Sequence, residues 1–478
     1  MSEKSDIFRA ASRSLPNLWQ EKEKDSFLSF LLRISLVLLI YVPFDRLAMY
    51  LSRLPPEIYF EDFIIWSFLK HISSGPSMFL ASAAFLLCIV FRNRLLVGWH
   101  DLNGSNPIRM LVIACAFLLT WRYTSYDYNL FLDQPHYLDR FLLITVFALS
   151  IWRPIFLSLF LALLLPIVWQ LGTFPGFSWA TTYLPVRIIT LFCVFLFLKI
   201  VFDRFSNLDF IFLVSTLVAS HYFAPGFAKL TPEWVINDRL YLFLPAAYTN
   251  GWLSTFSIET IERATRALSY VNVPLKLFTL VAECGALTLL WNRLTSKIFP
   301  AMWVILHIGI FLTSGIFFWM WMFIDLLLIY LFFVKNGFRG LFPISYAKFA
   351  VSLLLIAGGI GWYRPGVRAW YEGPVSYGYR FEALTGDGST FELTPGFFAP
   401  YENHFTVGAG FSFLSSEPTL ANTGGGTFDL EVFKRFSKAP SIDQLEKIER
   451  DLGTVHLNPK KVKELDSFLR RFIENWNQ

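Results

Sequence analysis

Long apolar runs recur through the first 363 residues, and they constrain the fold more than any other feature of the chain. A straight helix needs roughly 20 apolar residues to cross a bilayer. The runs at 77–91, 109–121 and 141–152 are short by that measure, so the predicted number of spans is nine to eleven. We therefore predict an all-α polytopic membrane protein. The runs lie at residues 27–44, 77–91, 109–121, 141–152, 154–171, 186–202, 209–224, 275–291, 300–316, 317–334 and 347–363.

The composition agrees with a membrane protein. Hydrophobic residues make up 55% of the 478 residues and charged residues 16%, and the mean hydropathy is +0.48. A soluble chain of this size could not bury so much apolar surface. The net charge of +5 gives no support for nucleic-acid binding. The four cysteines lie in apolar runs without metal-ligand spacing, so neither a metal site nor disulfides are predicted. They are Cys88, Cys115, Cys193 and Cys284.

Three segments differ in polarity. Residues 1–26 are polar and lack the apolar core and cleavage site of a signal peptide. Residues 27–363 form the predicted transmembrane domain, and residues 364–478 form a predicted soluble domain. Lysine and arginine concentrate in alternate loops, which predicts a cytoplasmic N-terminus and an extracytoplasmic C-terminal domain. These basic residues include Arg92, Arg94, Arg153, Lys199, Arg204, Arg293, Lys297, Lys335 and Arg339.

The C-terminal segment has the pattern of a small α+β domain. Residues 379–384 and 390–393 alternate apolar and polar side chains around Asp387-Gly388, which predicts a β-hairpin with a tight turn. Residues 441–451 and 458–476 have helical spacing, and Pro459 suits the first turn of the second helix.

One lysine stands at the end of a predicted membrane helix. Lys229 follows the apolar run 210–223, and we expect Pro225 and Gly226 to break the helix before it. An amine held among aromatic residues beside hydrocarbon is costly unless it is paired, and burial favours its neutral, basic form. Lysines also anchor helix ends at the membrane interface. The residues alone leave both interpretations open, a proton acceptor and an anchor.

Other ionisable residues lie deeper in the predicted spans. Glu283 is in the middle of the run 275–291, and His307 is in the run 300–316, with Asp325 in the next. Such groups generally face a partner or a wet cavity. They predict either a polar pocket near Lys229 or a hydrogen bond that only locks the helices together.

The order of these features resembles the vitamin K-dependent gamma-carboxylase-like (HTTM) membrane family over roughly residues 90–335. The pattern Tyr222-Phe223-x-x-Gly226-x-x-Lys229-Leu230-x-x-x-Trp234 is similar to a segment that follows a span in that family. The pattern Leu306-His307-Ile308-Gly309-Ile310-Phe311-Leu312 is similar to the setting of a histidine in a later span. The chain departs from the carboxylase in having Ala228-Lys229 where the carboxylase has two lysines, and in its much shorter C-terminal part.

The resemblance implies an activity and a set of site residues. It implies that Lys229 deprotonates a lipid-soluble, vitamin K-like quinol, whose reaction with oxygen gives a base strong enough for carboxylation of a glutamate. Lys229 and His307 are then the candidate catalytic residues. Glu283, His221 and Trp234 are candidate supporting residues of the pocket.

Three functions remain as hypotheses. The first is a membrane enzyme that uses Lys229 on a quinol, on a secreted peptide, or on both. The second is a non-enzymatic helper in the maturation, export or immunity of a secreted peptide. The third is a transporter, for which the sequence has no inverted repeat with paired broken helices. The predicted partners are the lipid bilayer and a secreted peptide or protein, and not nucleic acid.

Overall fold

The protein is described by a computed structural model that is mainly helical. It describes residues 26–478 apart from 61–62, most of 74–105, 126–128, 171–182, 203–204, 250, 332–343, 367–370, 373–378, 400, 402–404, 406–408, 421–425 and 428. The helices of the N-terminal part are α1 Phe27–Leu51, α2 Ile64–Ser73, α3 Asn106–Thr124, α4 Asn129–Leu132, α5 Tyr137–Trp152, α6 Phe156–Val168, α7 Tyr183–Val201, α8 Asn207–Ala228, α9 Pro232–Asn237, α10 Phe243–Thr249, α11 Ile258–Tyr270, α12 Asn272–Cys284, α13 Thr295–Ser314, α14 Trp319–Ile329, α15 Tyr346–Ala357 and α16 Gly359–Trp362.

Several of these helices are long and apolar enough to cross a membrane. Among the described residues four helices meet that test, namely α1, α7, α8 and α13. A fifth span is formed if α11 and α12, with the short 3-10 helix Gly285–Thr288, count as one span bent by 66°. Shorter apolar helices include α6, α14 and α15. The membrane class follows from these helices, whereas the predicted count of nine to eleven spans is not confirmed. The run at 77–91 lies mostly outside the described residues.

Helices α7 and α8 lie at the centre of the bundle. In each of them 83% of the most apolar window is buried, against 33% in α1 and α13. Peripheral helices expose large apolar side chains instead, for example Leu39 on α1 and Ile305 on α13. A helical bundle in a bilayer has apolar side chains on its outer surface, because that surface faces lipid. Most of helix α8, which ends just before Lys229, is therefore surrounded by protein.

Helix α8 does not end where the sequence predicts. It continues through Pro225 and Gly226 to Ala228, and Lys229 is its C-cap residue. The expected break at Pro225 is wrong, because the helix runs three residues beyond it and tolerates the one backbone hydrogen bond that the proline removes. Gly226 has a different role. A Cβ atom built on it would lie 2.5 Å from Cβ of Glu283 and 2.9 Å from the backbone nitrogen of Cys284, so the glycine permits close packing of α8 against α12.

This packing gives a first testable prediction. Gly226→Ala should lower the free energy of unfolding by about 1–3 kcal/mol, because the added methyl group overlaps the backbone of α12. Thermal unfolding of the purified protein in detergent would measure the loss. Gly309→Ala is the matched control on α13, since a Cβ atom there meets nothing within 4 Å. Equal stability of the two variants would contradict the close approach.

The C-terminal part contains the predicted hairpin and helices. Strands β2 Phe381–Leu384 and β3 Thr390–Leu393 pair antiparallel, with Leu384 opposite Thr390, and Gly388 in the turn has a φ of 86°. The predicted hairpin is therefore confirmed. A hydrogen bond from the Thr385 hydroxyl lowers the pKa of Asp387 in this turn. The other described elements are β1 Tyr371–Glu372, β4 Pro418–Thr419, β5 Gly426–Thr427 and β6 Thr454–Val455, with α17 Leu430–Phe436, α18 Ile442–Leu452 and α19 Pro459–Trp476.

The C-terminal part packs against the bundle through α19. The ring of Phe468 lies 4.6 Å from that of Phe131, centroid to centroid. Arg471 pairs with Asp133 at 2.7 Å and lies over the ring of Phe60 at 4.0 Å. The two parts therefore share apolar contacts, and the boundary at residue 364 stays a prediction.

Candidate functional site

An ion pair joins the end of α8 to the end of α12. The ammonium of Lys229 donates to both carboxylate oxygens of Glu283, at 2.9 Å and 2.7 Å. The two side chains are 14% and 9% exposed. Gly226 lets the two helices meet closely, and Lys229, one turn further along α8, therefore reaches the carboxylate of Glu283. The amine is thus paired with a carboxylate. A charged amine is tolerated beside hydrocarbon only when it has such a partner.

A second polar group lies deeper in the bundle. The hydroxyl of Tyr222 on α8 donates to Oδ2 of Asp325 on α14 at 2.6 Å. Nδ1 of His307 on α13 lies 3.3 Å from the same oxygen. Asp325 is fully buried, and His307 and Tyr222 are 5% and 3% exposed. The carboxylate therefore accepts a hydrogen bond from a phenol and faces an imidazole, each on another helix.

Aromatic side chains enclose this second group. The rings of Tyr222 and Trp303 stack at 4.0 Å with an interplanar angle of 5°. The indole of Trp321 meets Tyr222 edge-on at 5.7 Å, and Phe318 lies 5.4 Å from His307. Such packing fixes the orientation of the polar side chains and excludes water from around them.

The two polar groups are neighbours along α8. Tyr222, Gly226 and Lys229 follow one another at helical spacing on one side of the helix. The indole N–H of Trp303 also donates to the carbonyl of Ala282 at 2.8 Å, directly before Glu283 in the chain. These contacts place the ion pair and the buried carboxylate in one continuous site.

Apolar surface borders the ion pair. Phe227 is 62% exposed and Leu230 is 52% exposed, and they stand on either side of Lys229 in the sequence. The mouth of the site therefore combines a charged pair with side chains that suit lipid or an apolar ligand.

The other predicted site residues have separate surroundings. Nε2 of His221 accepts a hydrogen bond from Arg187 at 2.9 Å, since a guanidinium can only donate. Its Nδ1 then donates to the carbonyl of Leu217 at 2.8 Å, so the histidine is occupied within α7 and α8. Trp234 is buried in an apolar cluster with Leu280 of α12 and Phe433 of α17, and it supports the wall of the site rather than its polar groups.

The sequence analysis named Asp325 as an ionisable residue of a predicted span and Tyr222 as part of a pattern, but it gave neither a specific role in the site, and it did not consider Arg187. Asp325 is an acid in an apolar run, and such a residue by itself indicates a functional or structural polar contact. Tyr222 precedes Lys229 by seven residues, which places the two on one helical face. Arg187 is likewise a single charge near the start of the run 186–202. A search for isolated polar residues at helical spacing would have found all three.

The described part of the chain contains no cluster of three or more His, Cys, Asp or Glu side chains suited to a metal ion. Cys115, Cys193 and Cys284 are free thiols, and Cys88 lies outside the described residues. The polar groups that the described site does contain are an amine, two carboxylates, an imidazole and a phenol.

Comparisons of the chain with models of protein families, with curated proteins and with solved structures found no match. The class that fold and site define is a helical membrane protein with a buried acid–base cluster.

Proposed function

We propose that the chain is an integral membrane enzyme, resembling vitamin K-dependent gamma-carboxylase, in which Lys229 and Glu283 together act as the base toward a lipid-soluble quinol. The observation that carries this proposal is the amine hydrogen-bonded to both oxygens of a buried carboxylate. The exposed apolar side chains beside it suit a ligand that arrives from the bilayer.

The pair also defines how a proton is taken up. An ammonium cannot accept a proton, so Lys229 first passes one to Glu283, which leaves a neutral amine beside a carboxylic acid. The amine then takes the proton of a substrate hydroxyl, and the pair holds one proton more than at rest. A quinol, when bound, supplies the oxygen chemistry that the resemblance implies for glutamate carboxylation on a secreted peptide.

Buried polar atoms fit a hydroxyl-bearing ligand in the same region. The indole nitrogen of Trp321 and Oδ1 of Asp325 are buried without a hydrogen-bond partner among the described residues. One is a donor and the other an acceptor, and they lie one turn apart on α14. A hydroxyl group can satisfy both.

We further propose the orientation in the membrane. The N-terminus is cytoplasmic and the C-terminal domain extracytoplasmic, which puts Lys229 on the outer side. The shorter apolar helices α6, α14 and α15 cross the membrane together with the longer ones, and so do α3 and α5 on the runs at 109–121 and 141–152. This gives nine or ten spans among the described residues, within the predicted nine to eleven. The support for this arrangement is the distribution of basic residues in alternate loops.

A second candidate is the non-enzymatic helper of a secreted peptide. It is favoured by α17, which brings Phe433 against Trp234 and Lys434 within 3.9 Å of Glu233. The C-terminal part and the segment after Lys229 thereby form one surface that a peptide partner could contact.

A reconstitution experiment tests the enzyme proposal. Full-length protein in liposomes would be supplied with a reduced vitamin K-type hydroquinone under air, and oxidation would be followed by ultraviolet absorbance. We expect oxidation to fall by about 10²-fold or more in Glu283→Gln, because the amide cannot take the proton from Lys229. Oxidation no faster in wild type than in empty liposomes would contradict the quinol proposal and favour the helper.

A further inference from the structure

We infer that Asp325 and Tyr222 are positioning residues that hold His307 in the one neutral tautomer able to take the proton away from the Lys229–Glu283 pair. This inference rests on the proposed function, because it names the next acceptor for the proton that enters at that pair. It gives the buried carboxylate a role in proton transfer beyond locking helices together.

The charges and positions of the polar atoms around His307 favour one tautomer. Oδ2 of Asp325 accepts from the hydroxyl of Tyr222 at 2.6 Å, which a carboxylate does readily. Nδ1 of His307 lies 3.3 Å from that oxygen. A carboxylate oxygen has no hydrogen to give, and its negative charge attracts the imidazole proton to Nδ1, the nitrogen that lies nearest to it. Nε2 is then the nitrogen with a free lone pair.

Packing keeps this arrangement in place. Tyr222 is stacked on Trp303 at 4.0 Å, so its hydroxyl cannot swing away from Asp325 without breaking the stack. His307 is confined by Phe318 and by the edge of Trp321, at 5.4 Å and 6.0 Å between ring centroids. A histidine held in this way is oriented before any proton arrives.

The proton balance is simple. The carboxylic acid of Glu283 gives its proton to Nε2 of His307, which restores the carboxylate beside Lys229 and forms an imidazolium. The charge of that imidazolium is balanced by Asp325, which keeps its hydrogen bond from Tyr222. Trp303 links the two polar groups, because its ring stacks on Tyr222 at 4.0 Å and its indole N–H donates to the carbonyl of Ala282, directly before Glu283, at 2.8 Å.

Other charged residues lie on the helices that surround this proton path. Glu283 belongs to α12, and Lys229 caps α8. Helix α7, which also packs on α14, brings Arg187, and its guanidinium binds His221 at 2.9 Å. Helix α3 packs there as well and brings the buried Arg122. Within the described part of the chain, Tyr222 bonds to Asp325 and Nδ1 of His307 lies 3.3 Å from it.

Solid-state NMR of the full chain, labelled with ¹⁵N-histidine and reconstituted in liposomes, tests the tautomer directly. His307→Gln assigns the resonance. In wild type we expect most of the neutral His307 to carry its proton on Nδ1. Asp325→Asn should reduce that tautomer to a minority, since an amide N–H can donate to Nδ1, and Asp325→Glu should restore it. A purely structural role for Asp325 would not move the tautomer.

Tyr363→Phe is the matched control. It removes another buried tyrosine hydroxyl, one that bonds to Thr216 at 2.8 Å, and it should leave the His307 tautomer unchanged. Tyr222→Phe should raise the Nε2–H form, and it serves where Asp325→Asn does not fold. A wild-type resonance dominated by the Nε2–H form, or a tautomer unchanged in the folded Asp325 or Tyr222 variants, would overturn the inference.

The measurement uses no substrate. If the quinol assay fails and His307 has the expected tautomer, the enzyme proposal is rejected but the positioning of His307 by Asp325 is retained. An active enzyme with the opposite tautomer would reject the positioning role alone.

Discussion

Lys229→Arg is expected to insert and fold normally and yet to lose about 10²-fold or more of the activity. Arginine keeps the positive charge, the length and the hydrogen bonds to Glu283 that an anchor needs. It cannot pass a proton to Glu283 and then accept another, because a guanidinium stays protonated in proteins. General acid–base catalysis contributes typically 10²–10⁴-fold, which sets the size of the expected loss.

Hydroquinone oxidation in liposomes measures this effect, with membrane abundance scored beside it. Lys199→Arg is the matched control, since Lys199 also lies at a helix end and donates to a backbone carbonyl, that of Phe205, at 2.7 Å. That control should keep full activity. Full activity in Lys229→Arg at normal abundance would make Lys229 an interfacial anchor and deprive the proposed enzyme of its base.

The helical architecture could be predicted from the sequence because apolar runs are strong local signals. The helices α7, α8 and α13 fall on the runs at 186–202, 209–224 and 300–316. The number of spans could not be derived in the same way. Several apolar helices are shorter than a bilayer is thick, for example α14 with 11 residues, so composition alone does not decide whether they cross.

The error at Pro225 shows where local reasoning fails. Proline and glycine commonly end helices, but here both lie inside the last turn of α8. The glycine is required by Glu283, which is 57 positions further along the chain and packs against it. A contact of that sequence separation leaves no trace in the local pattern.

The candidate site was predicted in its parts but not in its connections. Lys229, Glu283 and His307 were singled out as ionisable residues in apolar surroundings. The structure joins the first two directly, and it links His307 to Asp325 and Tyr222 instead. Which polar residues meet depends on how four helices pack, and one sequence without tertiary contacts cannot supply that information.

At the opposite end of α8 we expect the largest loss of stability, from Asp209→Ala. Nε and Nη2 of Arg33 donate to the two oxygens of Asp209, at 2.7 Å and 3.2 Å. Oδ2 of Asp209 also accepts from the backbone N–H of Ser206 at 2.9 Å, as part of a capping box. The two charged residues are 8% and 2% exposed. Removing the carboxylate takes both of these hydrogen bonds and a negative charge away from the buried guanidinium, and breaking a buried ion pair in this way costs about 3–5 kcal/mol.

Unfolding of the purified protein in detergent, followed by circular dichroism against denaturant, measures the change. The double variant Arg33→Leu/Asp209→Leu should recover part of the loss, because no buried charge is then left alone. Glu446→Ala provides the exposed comparison. Its pair with Arg450 has an N–O distance of 3.6 Å and side chains that are 58% and 67% exposed, and pairs of that kind contribute at most about 1 kcal/mol. An Asp209→Ala protein as stable as Glu446→Ala would mean that the Arg33 side chain reaches water at the membrane surface, and that the end of α8 opposite Lys229 is far wetter than its packing indicates.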